Sequence, residues 1–139
     1  MEFITYHSTS EKNIPDILKN GFKENFGKGF GSTFGNGVYT SPDLKYVSTY
    51  NVDCDKILVC KIKTDNVKTL TVRDFLYFNR KHKKLLEDLD LFIISDVNEY
   101  VCKNVSCISV IQVMTVERIF KKNENNQLYL DDVIILNKK

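Results

Sequence analysis

The stretch Phe34-Gly35-Asn36-Gly37-Val38-Tyr39-Thr40-Ser41-Pro42-Asp43 decides how the chain is read. Gly37–Thr40 reads as a short strand, with the glycines before it marking a tight bend. Ser41, Pro42 and Asp43 are helix-start chemistry: a capping hydroxyl, a proline at the first helical position and an early carboxylate. The spacing predicts a helix from there to about Tyr50. Upstream, Lys23–Asn36 concentrates Gly27, Gly29, Gly31 and Gly35, with Phe26, Phe30 and Phe34 between them. Such a segment reads as a mobile or tightly bent loop, and its aromatic rings give it something to close onto, so it reads as the lid or rim of a cleft.

Working outward, Glu2–Thr9 is rich in aromatic and β-branched residues and reads as a strand. Asn13–Asn20 reads as a short helix with Pro15 in its first turn and Gly21 as its stop. Lys56–Lys63 alternates around Ile57, Val59 and Ile62 as a strand, and Val67–Leu70 follows as a shorter one. Thr71 to about Asp88 spaces Val72, Phe75, Leu76, Leu85 and Leu86 at helical intervals and is expected to be the longest helix. Leu91–Ile94 and Glu99–Lys103 read as strands around a turn at Asp96–Asn98. Ser106–Ile119 is a long or bent strand, Lys121–Gln127 a polar turn, and Tyr129–Leu136 the last strand. Strands outnumber helices and cluster in the second half, which favours α+β over a doubly wound sheet.

A chain of 139 residues, 42% hydrophobic and 27% charged, fits one globular domain over residues 1–139 that folds without disulfides or metals. The formal net charge of +2 is too small to predict a nucleic-acid partner. No apolar run is long enough for a membrane span, and MEFITYHSTS lacks the basic and apolar regions of a signal peptide. An intracellular protein, cytoplasmic or nuclear, monomeric and without a membrane contact, is therefore expected. Cys54, Cys60, Cys102 and Cys107 show no CxxC pair and sit among apolar, β-prone neighbours, so they read as buried free thiols rather than as a zinc site. The basic run Asn79-Arg80-Lys81-His82-Lys83-Lys84 reads as a solvated helix face, its alternative being a docking patch for an acidic or nucleic-acid partner.

Taken singly, His7 at a strand end, the aromatic Tyr39 and Tyr50, and Glu99 at a strand start are ordinary structural residues. Their neighbourhoods occur in a telling order. Tyr6-His7-Ser8-Thr9 ends the first strand, Phe34-Gly35-Asn36-Gly37-Val38-Tyr39 precedes Ser41-Pro42-Asp43 and Tyr50, and Asn98-Glu99-Tyr100-Val101 opens a late strand. This order resembles the catalytic domain of the poly(ADP-ribose) polymerase family, the diphtheria-toxin-like ADP-ribosyltransferases with a His-Tyr-Glu triad on three strands.

The resemblance implies an ADP-ribosyltransferase fold of mostly antiparallel split sheets around an NAD⁺ cleft, with NAD⁺ as co-substrate and no metal. It implies that His7 meets a ribose hydroxyl, that the Ser8 backbone grips the nicotinamide carboxamide, and that Tyr39 and Tyr50 flank the nicotinamide ring. Thr9, Gly37 and Ser48 complete the implied binding set, and Glu99 is the implied catalytic carboxylate. Lys23–Asn36 resembles the loop that covers the donor. Two positions depart from the pattern. Ser8 stands where the family has glycine, and the serine expected one turn before the stacking tyrosine falls on Val47, with Ser48 next to it. A short chain favours transfer of single ADP-ribose units to a protein, a nucleic-acid end or a small molecule. The alternatives are an NAD⁺ glycohydrolase, a non-catalytic NAD⁺ or ADP-ribose binding module and, ranked lowest, an RNA 2′-phosphotransferase.

Overall fold

In a computed structural model, residues 1–23 and 33–137 are described. The strands are β1 (Glu2–His7), β2 (Val38–Thr40), β3 (Lys56–Lys63), β4 (Val67–Leu70), β5 (Leu91–Ile94), β6 (Glu99–Cys102), β7 (Ile108–Lys122) and β8 (Leu128–Asn137). The helices are α1 (Ile14–Asn20), α2 (Leu44–Val47), α3 (Val72–Lys81) and α4 (Lys83–Glu87). The chain is thus α+β, as its strand clustering predicts.

The strands form two four-stranded sheets, ordered β1-β3-β7-β8 and β2-β6-β5-β4. Among the described residues every pairing is antiparallel except β4 with β5, which is parallel and is connected through α3 and α4. The sheets meet at a seam where the Tyr6 N–H donates to the Ser41 carbonyl at 2.8 Å and the Ser41 N–H returns to the Tyr6 carbonyl at 3.1 Å. Residues just beyond that seam on both strands therefore face a common space.

Among the described residues, three apolar clusters hold this arrangement. One joins Ile14 and Ile17 of α1 to Leu58, Cys60 and Ile62 of β3 and to Leu91 and Cys102 of the second sheet. The next packs Phe75 and Leu86 on Phe92, Ile94 and Val101. The last covers the opposite face of β3, where Ile57 and Val59 meet Val47 of α2. β3 is consequently buried on both faces, and not on one as simple alternation suggests. Each large side chain so buried stabilises the fold by roughly 1.5–3 kcal/mol.

Several boundaries differ from the sequence expectation. β1 stops at His7 rather than Thr9, because Ser8 and Thr9 turn into the short 3₁₀ segment Glu11–Asn13. The cap of α2 is Asp43, whose carboxylate accepts from the Tyr46 N–H at 3.2 Å, while Ser41 caps only the turn before it. The long helix predicted from Thr71 to Asp88 is two helices, broken at His82 (φ −141°, ψ 45°). Of its four predicted core residues after Val72, Phe75 and Leu86 are buried, whereas Leu76 and Leu85 are 59% and 58% exposed. The four cysteines are unpaired, with Cys54, Cys60 and Cys102 buried. No helix among the described residues is long and apolar enough to cross a membrane. The predicted lid lies mostly outside the described residues, of which only Lys23 and Thr33–Asn36 belong to it.

Candidate active site

His7 ends β1, Tyr39 is the middle residue of β2, and Glu99 opens β6. β2 pairs with β6 so that Tyr39 lies opposite Val101. Alternate residues of a strand share a face, so Tyr39, Val101 and Glu99 lie on one side of their sheet. Asn98 makes this start of β6 possible: its φ of 52° is left-handed, a conformation asparagine tolerates better than most residues. The seam adds His7 from the other sheet. The result is a cleft of about 530 Å³ whose wall includes His7, Ser8, Tyr39, Tyr46, Tyr50 and Glu99. That volume falls within the roughly 300–1,000 Å³ usual for small-molecule and cofactor sites. Thr9, Gly37 and Val47 also line it.

His7 Nδ1 bonds the Tyr39 carbonyl oxygen at 2.7 Å. A carbonyl only accepts, so Nδ1 carries the proton and Nε2 is left as the second position. The ring packs edge-on against Phe22, with centroids 5.1 Å apart. Burial lowers the imidazole pKa below 6.5, and the bond to Tyr39 opposes that shift only in part. His7 is therefore a neutral, oriented group at pH 7. The Tyr39 hydroxyl accepts from the Phe34 N–H at 2.7 Å and donates to the Gly35 carbonyl at 2.6 Å. Both roles are spent on the backbone, and burial together with the nearby Glu99 charge pushes its pKa up to about 12. Tyr39 is thus an aromatic wall and not an acid.

Glu99 is half-buried, and burial raises its carboxyl pKa above the ordinary 4.5. A hydrogen bond from the Tyr46 phenol opposes that rise by favouring the carboxylate. Tyr46 in turn lies 3.2 Å, oxygen to oxygen, from the Tyr50 hydroxyl, and the two rings meet edge to face at 5.7 Å. Burial, Tyr50 and Glu99 all raise the Tyr46 phenol pKa. Tyr46 escaped the sequence reading, although its spacing of four from Tyr50 is the spacing that aligns side chains on a helix.

Ser8 uses its hydroxyl to tie the cleft together. Oγ donates to the Tyr50 carbonyl at 3.0 Å and accepts from Asn51 Nδ2 at 3.0 Å. Its backbone N–H and C=O make no hydrogen bond among the described residues. Gly37 is there for clearance: a Cβ would sit 2.9 Å from the Cys102 carbonyl oxygen and 2.9 Å from Val101 Cγ1. Ser48 departs from the expectation. It is fully buried, its Oγ donates to the Leu44 carbonyl at 2.7 Å, and it does not line the cleft, where Val47 takes its place. The helical offset of about 100° per residue accounts for this.

A second unread residue is Arg118 of β7. Its guanidinium donates to five carbonyls of the turn after α2, those of Ser48, Tyr50, Asn51, Val52 and Cys54, at 2.6–3.4 Å. An arginine inside the run Val110–Phe120 was the available signal, but its partners are backbone atoms that no side-chain pattern marks. Compared with known proteins, the chain matches no protein-family model and no curated protein.

Proposed function

We propose that this chain is an NAD⁺-dependent ADP-ribosyltransferase of the His-Tyr-Glu type, with the corresponding fold, that transfers single ADP-ribose units. The observation that carries the reading is that His7, Tyr39 and Glu99, from three separate strands, line one cleft together with Tyr50 and Ser8. Among the described residues that line the cleft, Glu99 is the carboxylate, while Tyr39 and Tyr46 are held as neutral phenols.

In this reading the nicotinamide ring enters between the aromatic faces of Tyr39 and Tyr50, and its carboxamide pairs with the backbone of Ser8, which makes no hydrogen bond among the described residues. The neutral His7 ring, fixed through Nδ1, presents Nε2 to a ribose hydroxyl. The bond from ribose C1′ to the nicotinamide nitrogen breaks, and its electron pair leaves with neutral nicotinamide. The ribose is left with oxocarbenium character, and the Glu99 carboxylate stabilises that charge. An acceptor oxygen or nitrogen then bonds C1′, and its proton passes through Glu99 to solvent.

Mass spectrometry of the protein and of a cell lysate after incubation with NAD⁺ tests the proposal. Single ADP-ribose additions on an acceptor support it. Free ADP-ribose and nicotinamide without any adduct would instead indicate a glycohydrolase, and intact NAD⁺ would refute both.

A further inference from the structure

The basic run Asn79–Lys84 reads from sequence as a solvated face because Leu76 and Leu85 are expected to turn inward with Phe75 and Leu86. Both leucines instead stand in solvent. On α3, Arg73, Leu76, Tyr77 and Arg80 are spaced i, i+3, i+4 and i+7, so they share one face, and all four are exposed. The opposite side carries Phe75, buried on Phe92 and edge-on to Phe34 at 5.0 Å. Lys81 ends α3, and His82 folds back so that its ring lies 5.9 Å from that of Tyr77. Exposed Lys83, Lys84 and Leu85 then open α4.

Charge is concentrated on the same two helices. They hold Arg73, Arg80, Lys81, Lys83 and Lys84 against Asp74 and Glu87, a net charge of +3 where the whole chain has +2. None of these five cations is ion-paired to a carboxylate among the described residues. Like charges close together repel each other and are relieved by an anionic partner. The leucines narrow the choice of anion. At 59% and 58% exposure they gain nothing from a phosphodiester chain, but they do gain from the boundary between lipid headgroups and acyl chains. Tyrosine favours that boundary too. The face is also the convex outside of a helix and not a groove, which suits a plane of lipid better than a peptide.

We propose that the outer face of α3, with the start of α4, is a peripheral docking surface for an anionic phospholipid bilayer. Arg73, Arg80, Lys81 and Lys84 meet the charged headgroups, while Leu76, Tyr77 and Leu85 enter the headgroup boundary. Such a contact needs no spanning segment. Because Phe75 on the inner side of α3 packs on Phe34 of the cleft wall, docking holds that wall one helix diameter, about 10–12 Å, from the lipid. The surface does not depend on the chemistry of the cleft.

The test is flotation of the protein, without NAD⁺, on vesicles of phosphatidylcholine alone and of about three parts phosphatidylcholine to one of phosphatidylserine. The phosphatidylserine vesicles are expected to bind about tenfold more tightly or better, and to lose that advantage in high salt. Arg73→Gln with Arg80→Gln is expected to weaken binding by about thirtyfold, whereas Arg73→Lys with Arg80→Lys, which keeps the charge, binds as the unaltered protein does. Leu76→Ser with Leu85→Ser leaves the charge unchanged and is expected to weaken binding by about fivefold. All four residues are exposed, so their replacement leaves the fold intact. Equal binding to the two kinds of vesicle overturns the proposal, as does binding that survives the loss of both arginines. Full binding by the leucine variant, or release from the vesicles by a single-stranded oligonucleotide at equal phosphate concentration, would make this a site for soluble polyanions and overturns it as well.

Discussion

Tyr46 touches both halves of the candidate chemistry, since its phenol favours the Glu99 carboxylate and its oxygen meets the Tyr50 hydroxyl. Tyr46→Phe keeps the edge-to-face ring contact and removes only the hydroxyl. Burial, which raises the Glu99 pKa, is then unopposed, so that pKa climbs further. Catalysis that needs the carboxylate loses activity as pH falls through this pKa. The acid limb of the kcat–pH profile is therefore expected to move to higher pH in Tyr46→Phe. An unmoved limb would show that Tyr46 does not tune Glu99. At this scale the meeting of His7, Tyr39 and Glu99 in one cleft was legible from the order of their three motifs, since taken singly each reads as an ordinary structural residue. Ser48 was misplaced because adjacent helix positions look equivalent in sequence and differ by about 100° in space.

Among the elements, the turn after α2 has the least support of its own, because α2 is only Leu44–Val47. Its position comes from Arg118 on one side and Ser8 on the other. Arg118→Ala is expected to lower stability by about 2–3 kcal/mol in urea unfolding, as several charge-assisted bonds are lost from carbonyls that water partly re-solvates. Arg118→Lys recovers only a fraction, since a single ammonium cannot span five carbonyls. Because Tyr50 rides on that turn, KM for NAD⁺ is expected to rise more than kcat falls in both variants. A full-strength KM in Arg118→Ala would separate the clamp from the cleft. Strands with strong β-branched composition, such as Lys56–Lys63, were legible from pattern alone. The break at His82 was not, because no proline or glycine marks it and tertiary packing of Phe75 and Leu86 on the sheet decides it.

For the whole molecule, the α+β class followed from the clustering of strands, whereas the seam between Tyr6 and Ser41 did not. That seam is a pair of backbone bonds between distant segments, and it is what brings His7 to Tyr39. Lys83 and Lys103, likewise, line one pocket only through the fold, since one follows the break at His82 and the other follows β6. The central claim is that this cleft cleaves the nicotinamide–ribose bond with Glu99 as its carboxylate. The direct measurement is nicotinamide released from NAD⁺ by the unaltered protein and by Glu99→Gln, with thermal unfolding recorded for both. Release by the unaltered protein, reduced roughly 10²–10⁴-fold in Glu99→Gln at an undiminished Tm, is the predicted result. Equal release by the two proteins, or none from the unaltered one, would contradict it.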